Sequence, residues 1–213
     1  MKIRIKECKH GLFFLLFILI EVLYFLTQLR DIDYNLVHVS LDDMIPFLPI
    51  FVIPYVAWYV YVPGGMLYNF FVDKNAFRKQ ILTVVSGMAI SIIVFCIYPT
   101  TIDFRPSAEG DGFFLWICRL LFSNDKPVNV LPSMHCFEAV IIHLTAFKNE
   151  KLRRYIPLRI SSAVLSLLIC LSTVFIKQHS VVDLVSGVAL AYLLYFIVYI
   201  LPETVKKKKR ANI

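Results

Sequence analysis

The chain is short of charge. Asp, Glu, Lys and Arg make up only 17% of its 213 residues against 59% hydrophobic residues, and the mean hydropathy is +0.72. That balance excludes an ordinary soluble globular domain. No Ser/Gly-rich linker or low-complexity segment divides the chain and no internal repeat recurs, so a single unit spanning residues 1–213 is expected. The cysteines Cys8, Cys96, Cys118, Cys136 and Cys170 are odd in number and scattered. Without a C-x-x-C pair or Cys/His ligand spacing they read as small buried hydrophobes, and neither a metal nor another cofactor is expected. The formal net charge of +7 would suggest nucleic acid in a soluble protein, but its distribution here points to membrane lipid instead.

What the chain does have is long apolar runs. A hydrocarbon core of roughly 30 Å needs about 20 helical residues, and six runs come near that length: Gly11–Leu29, Ile45–Phe71, Ile81–Tyr98, Ser133 to about Arg154, Ile160–Ile176 and Val181–Leu201. The fold class expected is therefore all-α, a polytopic bundle of six transmembrane helices. The first run follows a basic leader (Lys2, Arg4, Lys6, Lys9); a cleaved signal peptide is the rival reading, opposed by the length of the run and the lack of a small-x-small site. Pro46, Pro49, Pro54 and Pro63-Gly64-Gly65 should kink or break the second run. Asp73–Gln80 reads as a basic connection. Within the stretch Pro99–Pro132, the patch Phe113–Phe122 with Trp116 is too short to cross and suits an interfacial segment that could touch an acyl or prenyl chain.

Lys and Arg divide unevenly between the two sides. The leader, Asp73–Gln80, the loop after the fourth run and the tail Lys206–Arg210 together hold 17, against Arg30, Arg105, Arg119, Lys126 and Lys177 opposite. The basic side is expected to be cytoplasmic, with both termini there, and the polybasic tail suits anionic lipid. Arg105, His135 and His179 then open on the non-cytoplasmic face of the cell membrane.

Ionisable residues at membrane depth are costly and therefore usually functional. His179 and Asp183 stand four apart where the last run begins, one helical turn from each other, so the carboxylate can hold one ring nitrogen and leave the other free. Ser133 and His135 follow Pro132 at the start of the fourth run, where first-turn N–H groups and a hydroxyl suit an anion. Arg105 and Lys177 can neutralise phosphate oxygens. Two imidazoles, a carboxylate and two cations are the parts for phosphoryl transfer. Blander readings stand beside each: a structural His/Asp hydrogen bond, a capping or solvated His135, a common Arg-Pro loop. Glu138 could tune His135 or pair within the bundle; Glu21 is also intramembrane. His38 and His143 read as surface or structural residues, and His10 as part of the leader.

Arg105-Pro106, then Pro132-Ser133-Met134-His135, then Ser172-Thr173 with His179 and Asp183 at the right spacing, resemble the three motifs of the type-2 phosphatidic acid phosphatase superfamily. Tyr98 stands where that pattern has Lys, Met134 where it has Gly and Thr173 where it has Arg. The resemblance covers residues 98–184 and the membrane branch of the superfamily. Tyr98-Pro-Thr and Lys177-Gln-His179 also look like its inositol-phosphorylceramide-synthase-like subgroup. It implies His179 as nucleophile, Asp183 as its orienting partner and His135 as general acid and base. Arg105, Ser133, Lys177 and Tyr98 are then expected around a lipid phosphate, with Lys177 replacing a missing cation. Metal-independent lipid phosphate hydrolysis is the leading expectation. Transfer of a phospho-headgroup to an alcohol is the alternative, and a non-catalytic lipid-binding or transport role a third.

Overall fold

A computed structural model describes residues 12–211; the basic leader, Cys8, His10 and the start of the first expected span lie outside them. The chain is helical almost throughout. In order come α1 (Leu12–Gln28), α2 (Ser40–Met44), a 3₁₀ turn (Pro49–Phe51) and α3 (Val52–Val72). After these follow α4 (Lys74–Ile97), α5 (Phe113–Asn124), α6 (Met134–Ala146), α7 (Glu150–Arg153), α8 (Ile156–Phe175), α9 (Val181–Tyr195), a π turn (Phe196–Ile200) and α10 (Leu201–Ala211). Two short strands, β1 (Asn35–Leu36) and β2 (Thr100–Thr101), pair in parallel and tie the loop after α1 to the loop after α4.

Among the described residues, four helical stretches are long and apolar enough to cross a membrane: Pro49–Val72, Lys74–Ile97, Ile156–Phe175 and Val181–Val205. Leu12–Gln28, Phe113–Asn124 and Met134–Ala146 are apolar but shorter. The expected fourth helix is the most changed, for it ends at Ala146, turns at Phe147–Asn149 and resumes as α7. Its 13 residues include ten buried ones because it is the axis of the bundle, in contact with α3, α4, α8 and α9. A helix walled on all sides by protein needs neither full length nor an amphipathic stripe.

Two other boundaries differ from expectation. The Asp73–Gln80 connection is the first two turns of α4, started by Asp73, whose Oδ1 accepts from the N–H groups of Asn75 and Ala76, each at 3.0 Å. And α3 runs unbroken through Pro63-Gly64-Gly65. Gly65 faces Ile142 on α6, where an added Cβ would lie 2.5 Å from Cγ2, so packing holds this segment helical.

Glycine marks the other close contacts of α6. The Phe137 ring occupies the space over Gly87 of α4, and the Ser133 carbonyl lies 2.3 Å from where a Cβ on Gly187 of α9 would be. Deeper in the bundle, Asn69 donates to Gln80 Oε1 (3.0 Å), Gln80 donates to Thr145 Oγ1 (2.9 Å), and Thr145 donates to the Ile141 carbonyl (2.7 Å). This chain joins α3, α4 and α6 and satisfies the buried Gln80 amide and the Asn69 N–H, which would otherwise be costly.

Replacing Gly187 by Ala should cost ~1–3 kcal/mol through overpacking and lower the Tm in detergent by several degrees. Gly64→Ala, where an added Cβ meets nothing within 4 Å, should leave the Tm unchanged or raise it. Equal Tm values for the two variants would rule out a tight α6–α9 contact.

Candidate active site

The close approach at Gly187 sets the first turn of α6 beside the first turn of α9. The Ser133 N–H donates to the Asp183 carbonyl at 3.1 Å, and Ser133 Oγ caps α6 by accepting from the Cys136 N–H. His135 in that turn and His179, just before α9, have ring centroids 5.8 Å apart. Both are buried, at 8% exposure. Tyr55 and Trp58 of α3 pack on His135, each with centroids at 4.6 Å.

His179 Nδ1 lies 3.4 Å from Asp183 Oδ2, close enough for charge pairing but without the alignment of a well-formed hydrogen bond. Burial by itself lowers the His179 imidazole; the Asp183 carboxylate, helped by Asp125, outweighs burial and holds it above the ordinary histidine value. Asp183 is fixed in turn by the Ser180 N–H, which donates to Oδ2 at 2.8 Å.

The turn carrying His179 is held from outside by Asp42 of α2, a residue that motif spacing does not reveal. Its buried carboxylate accepts from Ser180 Oγ (2.7 Å), the Val181 N–H (2.9 Å) and the Val39 N–H (3.0 Å). Its carbonyl accepts from Lys177 Nζ at 2.5 Å. Lys177 has φ +57° and its ammonium lies over the Phe104 ring, 5.4 Å from the centroid. The geometry therefore departs from the expected phosphate-binding place for Lys177: the left-handed turn sends its side chain to α2, away from the histidines. Tyr98 is not brought to them either. It caps α4, is 49% exposed and lines neither cavity beside His135.

Arg105 does reach the histidines. With Lys126, Asn129, Gln178, His135 and His179 it lines a small recess. Its Nη1 donates to the Asp125 carbonyl at 2.7 Å and its Nη2 to Gln178 Oε1, while Phe122 lies under the guanidinium at 4.8 Å. Buried Nε has no partner among the described residues. Asp125 is the hub, for its Oδ2 also accepts from Tyr55 (2.9 Å) and from Gln178 Nε2 (3.2 Å). Asp125, Gln178 and Lys126 complete the recess. Only Gln178, between Lys177 and His179, carried any sequence signal, through its place in the third motif. Trp116 of α5 is exposed and lines neither cavity, so within the apolar patch it is Phe122, under Arg105, that approaches the recess.

A buried recess with two imidazoles, a carboxylate behind one of them and a guanidinium is equipped to bind an anion and to move protons at it. Comparison with known proteins bears on which chemistry that is. Residues 119–197 match the PAP2 superfamily. The matched segment contains Ser133, His135, Lys177, His179 and Asp183 and starts beyond Tyr98 and Arg105. The match supports the superfamily named on the motif resemblance and suggests phosphatase-type activity; the narrower synthase-like subgroup finds no counterpart in it. An uncharacterized protein of Methanocaldococcus jannaschii is 26% identical over 133 residues, 62% of this chain and 52% of the relative. The chain thus spans about half the length of that curated relative. No solved structure matches it.

His38 and His143, read as surface or structural residues, stand outside the recess: His38 pairs with Asp43 and Asp103, both at 2.9 Å, and His143 Nδ1 meets Ser162 Oγ at 3.0 Å.

Asp42→Ala should release the His179 turn and cost ~1–3 kcal/mol, the penalty for buried donors left unmet, readable as a lower Tm. Asp43→Ala, at a side chain 64% exposed, is the matched control and should stay near wild type. Indistinguishable melting of the two variants would remove the anchoring role.

Proposed function

We propose that this chain is a membrane lipid phosphatase acting through a phosphohistidine. The observation that carries the reading is the pair of buried imidazoles with Asp183 behind one and Arg105 in the same recess. The match to the superfamily supports it. In this reading α1 and α6 join the four long helices as a six-span bundle. Both termini lie on the cytoplasmic side and the histidines open on the other, as the Lys and Arg distribution suggests.

Asp183 holds the Nδ1 side of His179, so Nε2 is the nitrogen that attacks phosphorus. The P–N bond forms as the P–O bond to the lipid breaks, and His135 gives its proton to the departing alkoxide. His135, now a base, takes a proton from water, whose oxygen attacks phosphorus; the P–N bond breaks and inorganic phosphate leaves. Phosphate oxygens replace the Asp125 carbonyl and Gln178 Oε1 as acceptors for Arg105 and engage its Nε. The exposed Lys126 supplies a further contact, since Lys177 is occupied at Asp42 and Ser133, which lines neither cavity, caps α6. Most of the rate enhancement in such a site is electrostatic and positional.

In detergent, with a panel of lipid monophosphates and diphosphates and no added alcohol, His179→Ala and His135→Ala should each lose at least ~10²-fold in turnover. Near-normal phosphate release by either variant would end this account. A second check uses pH. The nucleophile must be neutral and its pKa is raised, so kcat/KM should fall as pH drops through a value above the ordinary ~6.5 of histidine. Asp183→Asn removes the group that raises it, so the acid limb should move to lower pH while the plateau falls. An unmoved limb would exclude His179 as the titrating group.

A further inference from the structure

His135 also faces a second, larger cavity of about 510 Å³ between α1 and α3, within the size of small-molecule sites. Both helices pack on α4 and stand apart over this space. The exposed rings of Phe25 and Tyr59 mark its outer edge, on the side where lipid would lie. On α1 the residues facing it recur at helical spacing: Glu21, Tyr24 and Phe25. Trp58 and Tyr59 face them from α3.

The wall is aromatic and acidic at once. Glu21 and Asp125 line it, and no Lys or Arg does among the described residues. Asp125 is satisfied by Tyr55 and Gln178, whereas Glu21 accepts no hydrogen bond from the described residues. Behind it, Glu138 of α6 is fully buried and the Trp58 Nε1–H is directed toward its carboxyl group, although among the described residues neither makes a well-formed hydrogen bond. An alkyl chain alone would suit the rings but leave Glu21 facing hydrocarbon, an arrangement that intramembrane carboxylates avoid by pairing. A cation resolves both features, since ammonium groups bind aromatic faces and need a counter-charge when desolvated.

We propose that this cavity takes an amphiphile bearing an ammonium group, the cation paired with Glu21 among Tyr24, Trp58 and Tyr59. For a substrate whose phosphate sits beside His135, this rests on the phosphatase reading; the ammonium site itself does not. The chain has two tryptophans, so a Trp116→Phe background makes Trp58 the sole emitter. In maltoside micelles, dodecylamine should change its emission at concentrations at least 10-fold lower than dodecanol does. Glu21→Gln should remove that preference while leaving the dodecanol response, which reports an intact cavity. Equal responses to amine and alcohol, or a preference that survives Glu21→Gln, would overturn the proposal. Phosphate release from dodecyl phosphate and its 2-amino analogue separates the two readings. A binding preference without hydrolysis of either upholds the ammonium site and removes the phosphatase. Hydrolysis of both alike without a binding preference does the reverse.

Discussion

The backbone contact between Ser133 and Gly187 is what the rest of the molecule depends on. A carbonyl sits where any other residue on α9 would carry its Cβ, so the two helices meet at a distance only glycine permits. At that distance the Ser133 N–H reaches the Asp183 carbonyl, and the first turns of both helices become one polar surface. His135 and His179 are neighbours because of it, though they stand 44 positions apart in sequence. Their rings are then held by packing: Tyr55 and Trp58 on His135, Asp183 against His179.

Around that contact, loops are tied down by single acidic residues that each accept several hydrogen bonds. Asp42 reaches across 138 residues to Ser180 and, with its carbonyl, collects Lys177. Asp125 gathers Tyr55, Gln178 and, through its carbonyl, Arg105. Carboxylates that accept two or three N–H or O–H groups at once can order a connection that has no regular structure, because each bond formed lowers the entropic cost of the next. The Arg105 loop and the His179 turn are both placed this way, and so is the spacing between the guanidinium and the imidazoles.

The polar groups inside the bundle fall into two kinds. The Asn69 amide N–H, Gln80 and Thr145 bond to one another and read as structure. Among the described residues, buried Arg105 Nε has no partner and the Glu138 carboxyl has the Trp58 Nε1–H directed toward it without a well-formed bond, and Glu21 faces a cavity. Polar atoms left unmet at such depth cost stability, and these lie on the two sides of His135. In the proposed function the Arg105 side receives an anion, and in the further proposal the Glu21 side receives a cation.

Apolar run length and motif spacing in the sequence pointed to a helical membrane chain and singled out Arg105, His135 and His179, which the fold brings to one recess, with Asp183 beside His179. Hydrophobic length and an i, i+4 pair are local properties, written in consecutive residues. Sequence could not show that the Ser133 helix would be short and central, since its burial comes from four neighbours and not from its own pattern. Nor could it show where Lys177 points. Its spacing to His179 suited a phosphate ligand, but a left-handed backbone turn and the distant Asp42 carbonyl took the ammonium elsewhere. Asp42, Asp125 and the cavity holding Glu21 exist only once separate helices meet, because their roles lie in contacts between residues far apart in the chain. The sequence determined which groups the membrane would have to accommodate; packing at Gly187 and the two acidic anchors decided which of them meet.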